Sequence, residues 1–196
     1  MRIKEGNKEK DILQAAVKVF AEYGYHNAKI SKIAELANVA TGSVYVYFKN
    51  KKDVLLRIFE DLWEVLYKEA KKSVSSKSLT PDQKMDKLID VLFDVFSVNP
   101  SLAIVFVNEQ NHLILSEEGK FQIFYDKFLD LGEIILREGI KAKQFSSQLD
   151  RIIFRVYIFG AIRNLLHRWA QDPDQISLEK IRHNVKHITK FGISIK

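Results

Sequence analysis

Residues 20–55, FAEYGYHNAKISKIAELANVATGSVYVYFKNKKDVL, decide the fold. Ile30, Ile33, Ala34 and Ala37 recur at helical spacing over 29–37, and after a break at Asn38-Val39 a third short helix follows over roughly 41–47. Upstream, Ile12, Leu13, Ala16, Val17, Phe20 and Ala21 make the apolar stripe of a first helix, which Gly24 ends because glycine adopts positive φ at little cost. Asn27 is placed to cap the second helix. Asn50, with Asp53 three residues on, is placed to cap the helix that follows the third. Val44 and Phe48 stand four apart on one face and read as core. Tyr45, Tyr47 and the three lysines nearby do not belong to that face.

The rest of the chain reads as helix almost throughout. Leu55, Ile58, Phe59, Leu62, Trp63, Leu66 and Tyr67 stripe a longer helix from Asp53 to about Ser73. A serine-rich linker, SVSSKSLTP (73–81), ends at Pro81, which suits the first turn of the next helix. Further helices are predicted at about 81–97, 100–114, 117–143, 147–171 and 177–192. With 3 prolines, 8 glycines and no long alternating run, the expected fold class is all-α, about nine helices. A small three-helix head over 1–52 precedes a larger helical body over 53–196.

Charge is unevenly spread. Residues 1–57 hold 11 Lys/Arg against 6 Asp/Glu, whereas residues 58–196 hold 20 against 19. The excess in the first third points to an anionic partner there, a solvated basic face being the alternative. The absence of cysteine excludes disulfides, thiolate chemistry and cysteine-based zinc sites. No run of eighteen apolar residues appears and the N-terminus lacks the apolar core of a signal peptide, so a soluble cytoplasmic protein with no membrane partner is expected.

Two short helices joined by a tight turn inside a basic three-helix unit fit the helix-turn-helix plan, in which the second helix enters the DNA major groove. Thr41 and Ser43 can donate to phosphates or base edges, and Gly42 allows close backbone approach. Tyr45 and Tyr47 offer rings and hydroxyls. Lys51 and Lys52 open the next helix, where the amide groups already favour a phosphate.

These residues carry a resemblance. The F-x-x-x-G-Y opening (Phe20, Gly24, Tyr25), I-A-x-x-A (Ile33, Ala34, Ala37) and the run from Val39 to Lys51 resemble the DNA-binding domain of TetR-family transcriptional regulators. That family usually places Thr or Ser near 28 and 29 to cap the second helix against a phosphate. Here Ala28 and Lys29 stand instead, and Lys29 can supply the contact by charge. Ala40 replaces the usual hydroxyl that opens the recognition helix, so that Thr41 inherits that duty or it is lost.

The resemblance implies a homodimer on a palindromic double-stranded DNA operator, with residues 53–196 as a ligand-binding and dimerisation domain. In RIIFRVYIFGAIRNLLHRWAQD (151–172), Ile158, Ala161, Ile162 and Leu165 are the dimerisation candidates, although packing within one chain would give the same stripe. Gly160 and Ala161 would let a partner helix approach. The body is also where such proteins bind a small hydrophobic inducer, and Phe96, Phe106, Phe124, Phe128, Phe154 and Tyr157 are the candidate lining. Asn108 to His112 interrupt an apolar helix, so at least one polar side chain there points inward and needs a partner. Glu109 is the ligand candidate among them, and an internal bond to Tyr125, Tyr157 or Arg155 is the alternative.

Three segments, GYHNAKISKIAELANVATGSVYVYFKNKKDVL, NPSLAIVFVNEQNH and IFGAI, look most like the FadR-type branch, repressors of fatty-acid degradation that release DNA on binding long-chain acyl-CoA. Arg151, Arg155, Arg163 and Arg168 could meet its phosphates, or serve as ion pairs. A regulator of efflux sensing another hydrophobic compound, or a helical lipid-binding protein with no DNA role, are the alternatives. His183 and His187 have metal-ligand spacing but neither the intervening Glu nor a third ligand. No metal, cofactor or catalytic constellation is indicated, so an enzyme is not expected.

Overall fold

The computed structural model describes residues 8–114 and 120–193. Among them run nine helices: α1 (Lys8–Asn27), α2 (Ile30–Leu36), α3 (Thr41–Tyr47), α4 (Lys51–Val74), α5 (Pro81–Val98), α6 (Pro100–Ile114), α7 (Lys120–Lys141), α8 (Arg151–Gln171) and α9 (Leu178–Ile193). No strand occurs among the described residues. The all-α expectation holds. The chain forms two compact units, Met1–Leu62 with Ser101–Phe121 and Trp63–Pro100 with Gln122–Lys196. This division is interleaved rather than linear, because α6 folds with the head.

In the first unit, α2 and α3 are only seven residues each. Helices so short do not persist alone in water, so packing must hold them. Ile33, Ala34, Val44 and Phe48 are buried together with Ile12, Ala16 and Phe20 of α1. Val54, Leu55, Ile58 and Phe59 of α4 and Ala103, Val105 and Phe106 of α6 complete the core. Phe59 and Phe106 stack with centroids 6.3 Å apart. Gly24 (φ 72°, ψ 158°) bends the chain near the end of α1, and a further turn runs on to Asn27. Asn38 (φ 54°) makes the tight turn before α3, in a left-handed conformation that asparagine tolerates better than most residues.

Capping differs in one place from expectation. Lys29, not Asn27, is the N-cap of α2 and makes no side-chain cap bond. The Asn27 side-chain Nδ2 instead donates back to the Tyr23 carbonyl at 3.3 Å. At α4 the reciprocal cap forms: the Asp53 amide donates to Asn50 Oδ1 at 2.9 Å and the Lys49 amide to Asp53 Oδ2 at 3.0 Å.

The second unit begins with a capping box in which Thr80 and Gln83 satisfy each other's backbone amides, with Pro81 in the first turn of α5. Acids spaced by four or eight on α5 meet bases spaced by four on α9. Asp82, Asp90 and Asp94 pair with Lys190, Lys186 and Arg182 at 2.7, 2.5 and 2.6 Å. Single surface pairs contribute little, but a ladder of this spacing fixes one antiparallel register. Burial raises the Asp86 carboxyl above its ordinary value, with Lys186 acting in the opposite direction. Trp63 is fully buried, its ring 5.4 Å from Tyr125, 5.5 Å from Phe128 and 5.9 Å from Phe159. Asp150 caps α8 by accepting from the Ile152 and Ile153 amides, both at 2.9 Å, which starts this helix a few residues later than its apolar pattern suggests.

After α7 the chain doubles back so that the Gln144 and Phe145 amides both donate to the Gly139 carbonyl, at 2.9 and 3.1 Å. The Phe145 ring then lies on Gly139, where a Cβ would come within 2.0 Å of it. A buried ring cannot yield that far without losing its own packing. Gly139→Ala is therefore expected to destabilise the protein by about 1–3 kcal/mol, read as a fall in the urea midpoint. An unchanged midpoint would show that the Phe145 turn is dispensable.

Candidate nucleic-acid interface and apolar cavity

The exposed surface of the head is built by α3 and the chain that flanks it. Val44 and Phe48 point into the core, so Thr41, Gly42, Tyr45 and Val46 are turned outward, and Val46 is 79% exposed. Tyr47 is at the margin of exposure and its ring lies beside Phe48. Ser43 is half-buried and its amide closes the first turn on the Ala40 carbonyl. Helix α3 carries no charged residue, whereas Lys29 and Lys49 beside it are exposed. Uncharged side chains in the middle with cations at the edges suit base edges in a groove and phosphates along its rims. Val46 was not among the sequence candidates. Its signal is that it alone among the apolar residues of α3 lies off the Val44–Phe48 face.

Lys51 has a different setting from the one its sequence position suggests. Its ammonium donates to the carbonyls of His26 and Ala28, both at 2.9 Å, and lies 4.7 Å from the Tyr25 ring centroid. It thus binds the turn between α1 and α2. Ala28 is buried at that turn, which explains why no hydroxyl stands there. Lys52 is half-buried. Glu109 and Phe106 lie in this same unit. The Glu109 carboxylate accepts the Tyr25 amide at 3.0 Å, so this inward polar residue of α6 has an internal partner, and Tyr25 was not among those foreseen.

In the second unit, α5, α7 and α8 enclose a cavity of about 50 Å³. Leu88, Ile89, Phe128, Leu129, Gly132, Phe154, Ile158 and Ile162 form its walls, and Glu133 and Arg155 are its charged lining. Phe128 and Phe154 are the expected ligand residues that the structure brings together here. Phe96 is fully buried elsewhere in the core, and Tyr157 is 63% exposed. The side chain of Phe124 lies outside the described residues, as do those of Asn111 and His112.

The Arg155 guanidinium donates to Glu133 at 3.2 Å and Asp130 at 3.4 Å and also binds Asp126. Burial pulls Arg155 down, but the hydrogen bonds to Glu133 and Asp126 outweigh it and its pKa stands above the ordinary value. Burial holds Arg163 below its ordinary value. Arg151 lies 3.9 Å from Glu133, and Arg168 is exposed. Among the described residues no group of three or more His, Cys, Asp or Glu is placed to hold a metal. His183 and His187 stack on each other, and the His187 ring meets Phe191 at a tilt.

Apolar residues are spread around the whole circumference of α8, and this divides the four residues expected to share one dimer stripe. Ile162 is buried inside the unit and Ile158 lines the same cavity, because they follow Phe154 at intervals of four. Leu165 is half-buried, and Ala161 is exposed beside Gly160. The outer face instead carries Ile153, Val156 and Tyr157, together with Ile188 and Phe191 of α9.

A helix-turn-helix head with an exposed, uncharged third helix, and a helical body around an apolar cavity, define a DNA-binding transcription regulator. The chain belongs to the TetR family: residues 12–58 match the bacterial regulatory proteins of that family, and residues 59–191 match the YsiA-like protein C-terminal region. The fatty acid metabolism regulator protein of Bacillus subtilis (strain 168) is 31% identical to it over 189 residues, 96% of this chain and 97% of that protein. The structure of the fatty acid degradation regulator FadR from Bacillus halodurans matches with a TM-score of 0.82 at 31% identity, covering 95% of this chain and 96% of the other. The crystal structure of FadR from Bacillus subtilis in complex with stearoyl-CoA matches with a TM-score of 0.80 at 29% identity, covering 94% and 98%. No single helix among the described residues is long and apolar enough to cross a membrane.

Gly42 offers a direct check on the interface. A Cβ there would meet nothing within 4 Å and the backbone φ is ordinary, so the fold itself does not need glycine. Gly42→Ala is expected to raise stability by about 0.5–1 kcal/mol while weakening binding to a duplex selected by the wild-type protein. Thermal melting and fluorescence anisotropy together test this. Tighter or unchanged DNA binding in the stabilised variant would remove Gly42 from the interface.

Proposed function

We propose that the chain is a cytoplasmic, dimeric repressor of fatty-acid metabolism genes that leaves its operator when it binds a long-chain acyl-CoA. Residues 1–52 act as the DNA-binding domain and residues 53–196 as the ligand-binding and dimerisation domain. Lys29, Thr41, Gly42, Ser43, Tyr45 and Tyr47 are the DNA contacts in this reading, with Val46 added, Lys52 reaching a phosphate and Lys51 bracing the turn behind them. The full-length likeness to two fatty-acid regulators supports the class of genes.

The observation that carries the ligand class is the lining of the cavity in the second unit, apolar side chains from three helices with charge confined to Glu133 and Arg155. Such a site accepts an alkyl chain and holds a polar headgroup only at one edge. The stearoyl-CoA bound by a 29%-identical relative is a ligand of that form. At about 50 Å³ the cavity is far below the roughly 300–1,000 Å³ of sites that enclose small molecules. On this reading the cavity must widen to take the chain. Dimerisation is supported by the outer face of α8 and α9, where a second copy of the same face would cover Ile153, Tyr157, Ile188 and Phe191. A dimer presents two α3 helices to two half-sites of a palindrome.

Burial of each methylene contributes about 0.8 kcal/mol, or about fourfold in affinity. In a titration of the DNA complex with acyl-CoAs from twelve to eighteen carbons, potency is expected to rise steeply with chain length. Coenzyme A alone should be inert. Gly132→Val, which fills the cavity from α7, is expected to weaken release at least tenfold without changing DNA affinity in the absence of ligand. Potency independent of chain length would overturn the acyl assignment.

The DNA half is tested separately. Lys29→Ala is expected to weaken binding to specific and unrelated duplexes alike and to lower the salt slope by about one. An unaltered slope would take Lys29 off the phosphate backbone.

A further inference from the structure

We propose that Glu109 is a positioning residue for DNA binding: carried by α6, its carboxylate holds the turn between α1 and α2, so that operator affinity follows the placement of α6. The proposal rests on the DNA-binding part of the function proposed above and deepens it.

The geometry is local and specific. At Gly24 the chain leaves the α1 helix and starts a new turn, closed by the Ala28 amide on the Gly24 carbonyl at 3.1 Å. The first amides of such a turn have no acceptor within it, as at any helix start. The Tyr25 amide is one of them, and it donates to Glu109 Oε1 at 3.0 Å from a residue 84 positions away. Glu109 is 5% exposed, a burial that a carboxylate tolerates only with donors in place. The same turn is held from its acceptor side by Lys51, through the His26 and Ala28 carbonyls. A carboxylate and an ammonium thus grip the donor and acceptor groups of one short turn.

Helix α2 leaves directly from that turn, and its N-cap Lys29 makes no side-chain cap bond. Its start is set by the turn rather than by a cap of its own, and α3 begins after a break of four residues. Displacing the turn therefore displaces the surface that carries Tyr45 and Val46. On α6, Phe106 stands one turn before Glu109 and stacks on Phe59, so the same side of the helix makes both contacts. The next residue, Gln110, is buried with its Oε1 lacking a hydrogen-bond partner among the described residues. An orphaned acceptor disfavours this placement of α6 relative to one that satisfies it. The Glu109 bond helps to offset that cost and hold α6 where it is.

The test compares Glu109→Gln, which keeps an oxygen acceptor, with Glu109→Ala and the space-filling Glu109→Leu, which do not. Three quantities are measured on the full chain: dissociation constant for the selected duplex, hydrogen exchange over residues 24–28, and stearoyl-CoA affinity without DNA. The expected result is that Ala and Leu weaken duplex binding about tenfold or more and speed exchange in the turn by a similar factor. Gln should stay near the wild type, and stearoyl-CoA affinity should be unchanged in all three. Leu keeps the test decisive if Ala fails to fold. Wild-type duplex affinity and exchange in Ala and Leu would overturn the proposal. So would loss of stearoyl-CoA affinity with intact duplex binding, which would return Glu109 to a ligand site. If the wild-type protein ignores stearoyl-CoA, the acyl-CoA reading fails, and Glu109 is still decided by the two measurements that need no ligand.

Discussion

The head depends on how one turn satisfies its backbone. Gly24 takes the chain out of α1 at φ 72°, and the amides beyond it must find acceptors outside the helix they have left. Glu109 and Lys51 answer that need from opposite sides. Two seven-residue helices come next, and neither has the length to hold itself. Their position is therefore inherited: from the turn at one end, from Ile33, Ala34, Val44 and Phe48 buried beneath, and from the Asn50–Asp53 cap where α4 begins. Glycine at position 24 reads as an ordinary helix stop. Its conformation makes it the point where the geometry of the head is set.

Division of labour on the head follows from the same economy. A helix of seven residues with Val44 committed to the core has few positions left to present. The chain fills them with a hydroxyl, a glycine, a phenol and an exposed valine, and keeps lysines to the flanks. Cations at the rims bring a duplex in without regard to sequence, and the uncharged centre discriminates by shape and by apolar contact such as that with a thymine methyl.

Helix positions and the helix-turn-helix were legible because they rest on local periodicity, capping chemistry and a dense motif. The partners of individual polar groups were not. Lys51 looks like a phosphate ligand by its place at the start of α4, and only the fold brings the His26 and Ala28 carbonyls to it. Glu109 looks like a pocket residue because it interrupts an apolar helix. That it must be buried was readable, but its partner 84 residues away was not. Helix α8 defeats periodicity for another reason. With apolar residues spread around its whole circumference, it gives little angular signal to separate Ile158 and Ile162, which face the cavity, from Tyr157 and Ala161, which face out. The same limit hid Leu88 and Ile89, which are indistinguishable in sequence from any other core residues of α5.

Charge pairs in the second unit limit how its cavity could widen for the ligand proposed above. Helix α5 is tied to α9 by the Asp82, Asp90 and Asp94 ladder, and α8 is tied to α7 by Arg155 through Asp126, Asp130 and Glu133. The cavity lies between these two clamped pairs, walled by α5 on one side and by α7 and α8 on the other. Separating the pairs would cost mainly apolar contact at Leu88, Ile89, Phe128 and Phe154, which the alkyl chain of the proposed ligand would replace in kind. Breaking either clamp would instead expose or orphan charge, with nothing in an alkyl chain to compensate it. Lys84 of α5, mostly buried, lies 2.7 Å from Glu138 of α7, an ion pair that joins one clamped pair to the other. On the function proposed above, an alkyl chain that widened the cavity would meet resistance where Lys84 meets Glu138.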